Sequence, residues 1–175
     1  MTSLVLTLIG SDRPGLVEAL ASTVAEQGGN WLESRMAHLA GKFAGVLRVE
    51  VPDERADALS AALAQLEARG LKVQVERSAD APIPASAARR FMLVELEGLD
   101  RPGLVREIAL VLAERGVNIE ELVTDRSTAP MSGELLFRSR AWVHVPPGVD
   151  ASELRGRLER LAGDLMVQVT VGEPG

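Results

Sequence analysis

The stretch Asp12-Arg13-Pro14-Gly15-Leu16-Val17 recurs without change as Asp100-Arg101-Pro102-Gly103-Leu104-Val105, 88 residues further along the chain. The same offset relates Gly28-Gly29-Asn30 to Gly116-Val117-Asn118. Self-similarity at a fixed offset is the signature of a duplicated structural unit. The sequence therefore predicts two copies of one module.

The offset between the copies grows to 94 by the Val-Gln-Val of residues 73–75, which recurs at residues 167–169. The second copy therefore carries six extra residues, and they fall within residues 124–134. A segment rich in Ala, Ser and Pro separates the copies and predicts a linker over residues 78–90. The predicted domains are residues 1–77 and residues 91–175.

Each copy begins with a pattern that predicts a strand followed by a helix. Apolar runs that stop at a glycine, residues 4–9 and 91–96, predict the strands. Apolar residues at i, i+3, i+4 and i+7 then predict a helix with one buried face. These residues are Val17, Leu20, Ala21 and Val24 in the first copy, and Val105, Ile108, Ala109 and Leu112 in the second.

The rest of each copy predicts two strands, a second helix and a last strand. The strands are predicted at residues 30–38, 43–51 and 71–77 in the first copy, and at residues 118–126, 135–145 and 164–171 in the second. The second helices carry Leu59, Ala62, Leu63 and Leu66, and Leu154, Leu158 and Leu161. The order βαββαβ predicts an α+β fold of two ferredoxin-like modules, each with an antiparallel sheet covered by helices on one face.

The composition argues against several classes of function. The chain has no cysteine, which excludes disulfides, thiolate zinc sites and a cysteine nucleophile. Its net charge of −6 opposes a phosphate backbone, so we expect no direct contact with nucleic acid. Neither a basic leader nor a membrane-length apolar run is present, so we expect a cytoplasmic protein without membrane contact.

Nothing in the sequence predicts catalysis. His38 and His144 are the only histidines, too few for a convincing metal site. Phosphate-loop, zinc-protease and hydrolase motifs are missing from the sequence. We therefore expect a protein that is not an enzyme, with no catalytic residue, no metal and no cofactor.

The repeated turn has the chemistry of an anion site. Pro14 suits the first position of a helix, which would put Asp12 or Arg13 at the cap. The backbone N–H groups of residues 15–17 and 103–105 would then lie free to bind a carboxylate. Asp12 or Asp100, and the side-chain carbonyls of Asn30 or Asn118, could accept hydrogen bonds from an ammonium group. The alternative is that the aspartate only caps the helix and the arginine is solvated.

The element order, the turn Gly-x-Asp-Arg-Pro-Gly-Leu-Val and the Gly-x-Asn after the first helix resemble the ACT domain, a regulatory module that typically binds amino acids. Two such domains, with Ala129-Pro130-Met131-Ser132-Gly133 in the second, resemble the glycine cleavage system transcriptional repressor family. The first copy has only the short turn Ala40-Gly41-Lys42 at that place, so the two sites are not expected to be equivalent.

The resemblance implies a ligand that sits between modules, against the first turn and the start of the second strand. The implied ligand-binding residues are Asp12, Arg13, Pro14, Gly15, Leu16 and Asn30, and Asp100, Arg101, Pro102, Gly103, Leu104 and Asn118. The implied ligand is a small amino acid, with glycine as a candidate. The implied partner is a transcription factor, contacted instead of DNA, and residues 129–133 would cover a site or touch that partner.

Other readings of the same residues stay open. ACT modules also dock on metabolic enzymes, which would make this chain a regulatory subunit. A long hairpin loop also explains residues 129–133. An uncovered sheet face and exposed edges favour pairing between modules and a homo-oligomer. Besides a ligand-responsive regulator and a regulatory subunit of an enzyme, the third possibility is a purely structural dimer without ligand.

Overall fold

The computed structural model describes residues 1–78, 90–130, 132–165 and 167–172. The chain divides into two compact units, and each has the order βαββαβ. The first unit contains β1 Thr2–Ser11, α1 Leu16–Glu26, β2 Asn30–Leu39, β3 Lys42–Val51, α2 Ala56–Ala64 and β4 Leu71–Arg77. The second contains β5 Arg90–Leu99, α3 Leu104–Ala113, β6 Asn118–Thr128, β7 Leu135–Val145, α4 Ala151–Leu165 and β8 Val167–Gly172.

The strands of each unit form one antiparallel sheet. The order is β2-β3-β1-β4 in the first unit and β6-β7-β5-β8 in the second, so the first strand of each copy is central. Side chains alternate across the sheet because the period of a strand is two residues. On β1, Leu4, Leu6 and Leu8 are buried, whereas Thr7 and Ile9 are exposed. The predicted α+β class of two ferredoxin-like modules is confirmed.

The buried stripe of the first helix differs from the predicted one. Leu16, Leu20 and Val24 are buried, at a spacing of four residues, whereas Val17 is 46% exposed. The second copy repeats this shift, with Leu104 buried and Val105 41% exposed. The prediction was wrong for half of the stripe because two neighbouring rows of a helix are apolar here, and periodicity alone does not say which row meets the sheet.

The six extra residues of the second copy lengthen one hairpin. β2 and β3 have 10 residues each and are joined by Ala40 and Gly41, whereas β6 and β7 have 11 each. The remaining four residues enlarge the connection, which runs from Ala129 to Glu134. In each unit the edge strand carries a β-bulge at the same place, between Trp31 and Glu33 and between Ile119 and Glu121.

Several predicted boundaries were wrong by a few residues. The first strands continue beyond Gly10 and Gly98, because both glycines keep their antiparallel partners. The last strand begins at Val167 rather than at residue 164, because α4 extends to Leu165. Residues 79–89 of the predicted linker lie outside the described residues, and Arg90 already belongs to β5. Within the described part of the chain, no helix is long and apolar enough to cross a membrane.

Candidate ligand-binding site

The turn between first strand and first helix ends in a left-handed glycine in both units. Gly15 has φ 89° and ψ 0°, and Gly103 has φ 97° and ψ −6°. A proline followed by a glycine with these angles fits a type II turn. Helices α1 and α3 begin one residue later, so the prediction of Pro14 as the first helical residue and of Asp12 or Arg13 as the cap was wrong. Pro102 and Asp100 are placed in the same way.

Backbone donors at the start of these helices lack a side-chain cap. The N–H of Ala19 donates to the carbonyl oxygen of Gly15, and the N–H of Glu107 donates to that of Gly103, both at 3.0 Å. Among the described residues, no side chain accepts a hydrogen bond from the earlier N–H groups of either helix. Unpaired N–H groups and the helix dipole together favour an anion at this point.

The aspartate of the turn contacts the second strand instead of the helix. In the first unit, Asp12 Oδ2 lies 3.5 Å from His38 Nε2. In the second, Asp100 Oδ2 lies 3.0 Å from Arg126 Nε, and Arg126 is the counterpart of His38 in the repeat. The alternative that the aspartate caps the helix is therefore wrong. These carboxylates anchor the turn to the sheet, which leaves them less available to a ligand.

Backbone hydrogen bonds fix the same turn to the end of the hairpin. The N–H of Asp12 donates to the carbonyl oxygen of Gly41 at 3.0 Å, and that of Asp100 donates to Leu135 at 2.8 Å. In the second unit this brings the enlarged hairpin connection to the turn. That connection is closed by the N–H of Ala129, which donates to Glu134 at 2.8 Å, and by the N–H of Gly133, which donates to Ala129 at 3.0 Å. Pro130 and Ser132 lie within it, and Met131 lies outside the described residues.

The two asparagines lie far from the turn of their own unit. Asn30 pairs with Glu50, which pairs with Ser3 at the start of β1, whereas the turn follows Ser11 at its end. Eight residues of strand span roughly 27 Å. Asn118 occupies the equivalent place and donates to Glu120 Oε1 at 2.8 Å. Within one unit, the predicted site therefore does not include its asparagine.

In the first unit the turn opens onto a cavity of about 380 Å³. Arg13, Glu18 and Arg69 supply its charged side chains. The cavity forms because β4 pairs with β1, which brings the residues before β4 beside the end of β1. It is lined by Arg13, Pro14, Gly15, Leu16, Glu18, Ala19, Leu66, Ala68, Arg69 and Leu71.

Arg69 and Glu18 were missed by the sequence reasoning, since neither belongs to the repeated motif. The strand order of the ferredoxin-like plan was the available signal for Arg69. The second unit does not preserve these charges, because the counterparts of Glu18 and Arg69 in the sheet register are Arg106 and Leu165. In the described residues, no cluster of three or more His, Asp or Glu side chains is placed to hold a metal ion.

Comparison with known sequences gives relatives for both units. Residues 2–76 match the ACT domain family model. The chain is 24% identical over 172 residues to the glycine cleavage system transcriptional repressor of Escherichia coli strain K12, which covers 96% of this chain and 88% of that protein. It is also 30% identical over 179 residues to the phosphoserine phosphatase SerB2 of Mycobacterium tuberculosis, covering 99% of this chain but 41% of that enzyme.

Solved structures share the whole architecture. A crystal structure described as an unknown protein from Galdieria sulphuraria superposes with a TM-score of 0.83 at 30% identity, covering 99% of both chains. A putative glycine cleavage system transcriptional repressor superposes with a TM-score of 0.70 at 22% identity, covering 98% of this chain and 96% of that one. The first unit therefore matches the ACT domain, the second unit repeats its fold, and the chain resembles the glycine cleavage system transcriptional repressors over nearly its whole length.

Proposed function

We propose that the chain is an amino-acid-responsive regulatory protein, and that the turn of the first unit receives the carboxylate of a small amino acid. The observation that carries the proposal is the left-handed Gly15, which opens α1 without a side-chain cap among the described residues. The cavity beside this turn is lined by Gly15 and Leu16 together with two arginines, Arg13 and Arg69. A carboxylate there would receive charge-assisted hydrogen bonds, which are stronger than neutral ones.

The same cavity offers an acceptor for the ammonium group. Glu18 lines it, and its Oε1 already accepts a hydrogen bond from the Ser22 hydroxyl at 3.0 Å. Because Arg106 replaces Glu18 in the second copy, that turn lacks a carboxylate at this position. We therefore propose the first unit as the principal site, with Asp100 to Leu104 as a weaker one. Asn30 and Asn118 are left out, since each lies at the other end of its sheet.

The proposed regulation acts through a partner protein. The net charge of −6 disfavours a phosphate backbone, and a relative that aligns with 96% of this chain over 88% of its own length is a transcriptional repressor. A transcription factor is therefore the proposed partner, with residues 129–133 as one contact. A ligand shifts such a system only if it binds one arrangement of the protein more tightly than another.

A second function is favoured by a separate observation. Nearly the whole chain, 99%, aligns with 41% of a phosphoserine phosphatase. A tandem module of this kind therefore also occurs as part of an enzyme. This supports the alternative that the chain docks on a metabolic enzyme as a regulatory subunit. Co-purification with an enzyme whose activity changes with the ligand would favour this alternative over a transcription factor.

Thermal unfolding in a panel of small amino acids, glycine first, tests the ligand site. A ligand that binds only the folded state stabilises it by about 2.7 kcal/mol at a hundredfold excess over its dissociation constant. We expect Arg13→Gln to lose most of this stabilisation, and the matched variant Arg101→Gln to keep it. The proposal fails if no amino acid stabilises the protein, or if Arg13→Gln responds like the wild type. Sedimentation with and without the ligand tests the proposed homo-oligomer.

A further inference from the structure

The face of the second sheet that is turned away from α3 and α4 carries a cluster of charges. Glu95 and Glu97 lie on β5, Arg138 and Arg140 on β7, and Asp125 on β6, all on this side of the sheet. We call these five residues the charged face. They line a depression of about 460 Å³, a volume within the range of small-molecule sites, roughly 300–1,000 Å³. The counterparts in the first sheet are Thr7, Ile9, Ala44, Val46 and Ala37, none of which is charged.

Two cross-strand ion pairs orient the guanidinium groups. Arg138 donates from Nε and Nη2 to the two carboxylate oxygens of Glu97, at 3.0 and 3.4 Å. Arg140 donates from Nε to Glu95 Oε1 at 2.9 Å, and its guanidinium carbon lies 5.8 Å from the centre of the Trp142 ring. Both pairs join residues that are directly opposite each other in the ladder. Each arginine therefore uses part of its guanidinium group to bind a glutamate on β5. Its remaining N–H groups stay available to other acceptors.

Among the described residues, those on β6 that lie beside these two arginines form no ion pair with them. Asp125 lies directly opposite Arg138, yet among the described residues its carboxylate makes no ion pair within 4.0 Å. Val123, which is 51% exposed, lies opposite Arg140, and its neighbours Glu121 and Asp125 are the two diagonal acids on β6. Of these two acids, only Asp125 lines the depression. Asp125 and Arg140 are diagonal neighbours, with Cα atoms about 7–8 Å apart. An unpaired carboxylate and a guanidinium with open donors thus flank one apolar side chain.

From this arrangement we infer that the charged face binds a small zwitterion, with the chemistry of a free α-amino acid. Its ammonium group binds Asp125, its carboxylate binds Arg140, and its side chain lies on Val123. Three carboxylates against two guanidinium groups leave the face with a net charge of −1, so an anion alone is repelled and the ligand needs its cationic group. The site shares no residue with the turn of either unit and does not depend on the proposed function.

Residue-resolved NMR titration of the full chain tests this inference. The probes are alanine, propionate, which lacks the ammonium group, and ethylamine, which lacks the carboxylate. We expect alanine to shift the backbone resonances of Val123, Asp125 and Arg140 saturably. Because the site uses both charges, we expect propionate and ethylamine to bind at least tenfold more weakly.

The matched variants are Asp125→Asn and Glu121→Gln, which each remove one negative charge from β6 on the same face of the sheet. Asp125→Asn is expected to weaken alanine binding at least tenfold, and Glu121→Gln to leave it within twofold. Equal effects of the two variants would overturn the inference, as would equal shifts with ethylamine and alanine, or none on this face. Shifts confined to residues 13–19 would report the turn site alone and would also overturn it.

Discussion

The close approach of Gly10 to the turn before β4 gives a prediction whose magnitude follows from geometry. A methyl group on Gly10 would lie 2.5 Å from the carbonyl oxygen of Gly70 and 3.3 Å from Leu71 Cδ1. Carbon and oxygen normally approach to about 3.3 Å, so the Gly70 carbonyl would have to move by roughly 0.8 Å. The β1–β4 ladder opposes that movement, because Gly10 is paired with Leu71.

We expect Gly10→Ala to lower the free energy of unfolding of the first unit by about 1–2 kcal/mol. Overpacking of this kind costs roughly 1–3 kcal/mol. Alanine also lowers the conformational entropy of the unfolded chain relative to glycine, which offsets about 0.4–1 kcal/mol of this cost. With a urea dependence of about 2 kcal/mol per molar, the middle of the usual range, the unfolding midpoint should fall by roughly 0.5–1 M.

The assay uses the two tryptophans, one in each unit. In a Trp142→Phe background, fluorescence of Trp31 follows urea unfolding of the first unit, and the Trp31→Phe background reports the second. The control is Gly163→Ala, which makes the same change at a position in α4 where no heavy atom lies within 4 Å of the added carbon. This variant should stabilise the second unit by about 1 kcal/mol. A Gly10→Ala midpoint equal to or above that of the wild type would refute the reasoning.

Three further substitutions test other parts of the structure. Leu63→Ala removes a fully buried side chain from the core of the first unit and should cost about 2–5 kcal/mol in urea unfolding, whereas Leu39→Ala, at 78% exposure, should cost under about 0.5 kcal/mol. A double-mutant cycle with Asp100→Asn and Arg126→Gln should give a coupling of at most about 1 kcal/mol, because the pair is partly exposed, and this coupling should shrink in 1 M salt. Gly156→Ala should raise the thermal midpoint of the second unit, because replacing a helical glycine by alanine stabilises the helix by about 1 kcal/mol. The added carbon has room, since its nearest neighbour is the end of the flexible Arg160 side chain at 3.6 Å. A lower midpoint would contradict this prediction.

The repeat predicted the element order, and the middle strands were placed within one or two residues. The turn was harder, because Asp-Arg-Pro-Gly fits both a helix cap and a type II turn, and only the backbone angles of Gly15 separate them. The position of Asn30 depends on the path of the chain and not on its neighbours in sequence, because α1 returns the chain to the end of the sheet where β1 begins, and β2 starts there with β3 between it and β1. Arg69 lies outside every motif and reaches the turn only through the pairing of β4 with β1.

The matching bulges on β2 and β6 limit how these sheets can grow. An edge strand of ten or eleven residues offers its free backbone groups to any extended chain, including another copy of itself. The bulge after Trp31, like the one after Ile119, breaks that row of donors and acceptors near its beginning. An added strand would find regular pairing only from residue 33 or 121 onward. Because duplication kept this irregularity in both units, each edge is partly protected against uncontrolled fibre-like addition, while a short, specific strand can still be accommodated.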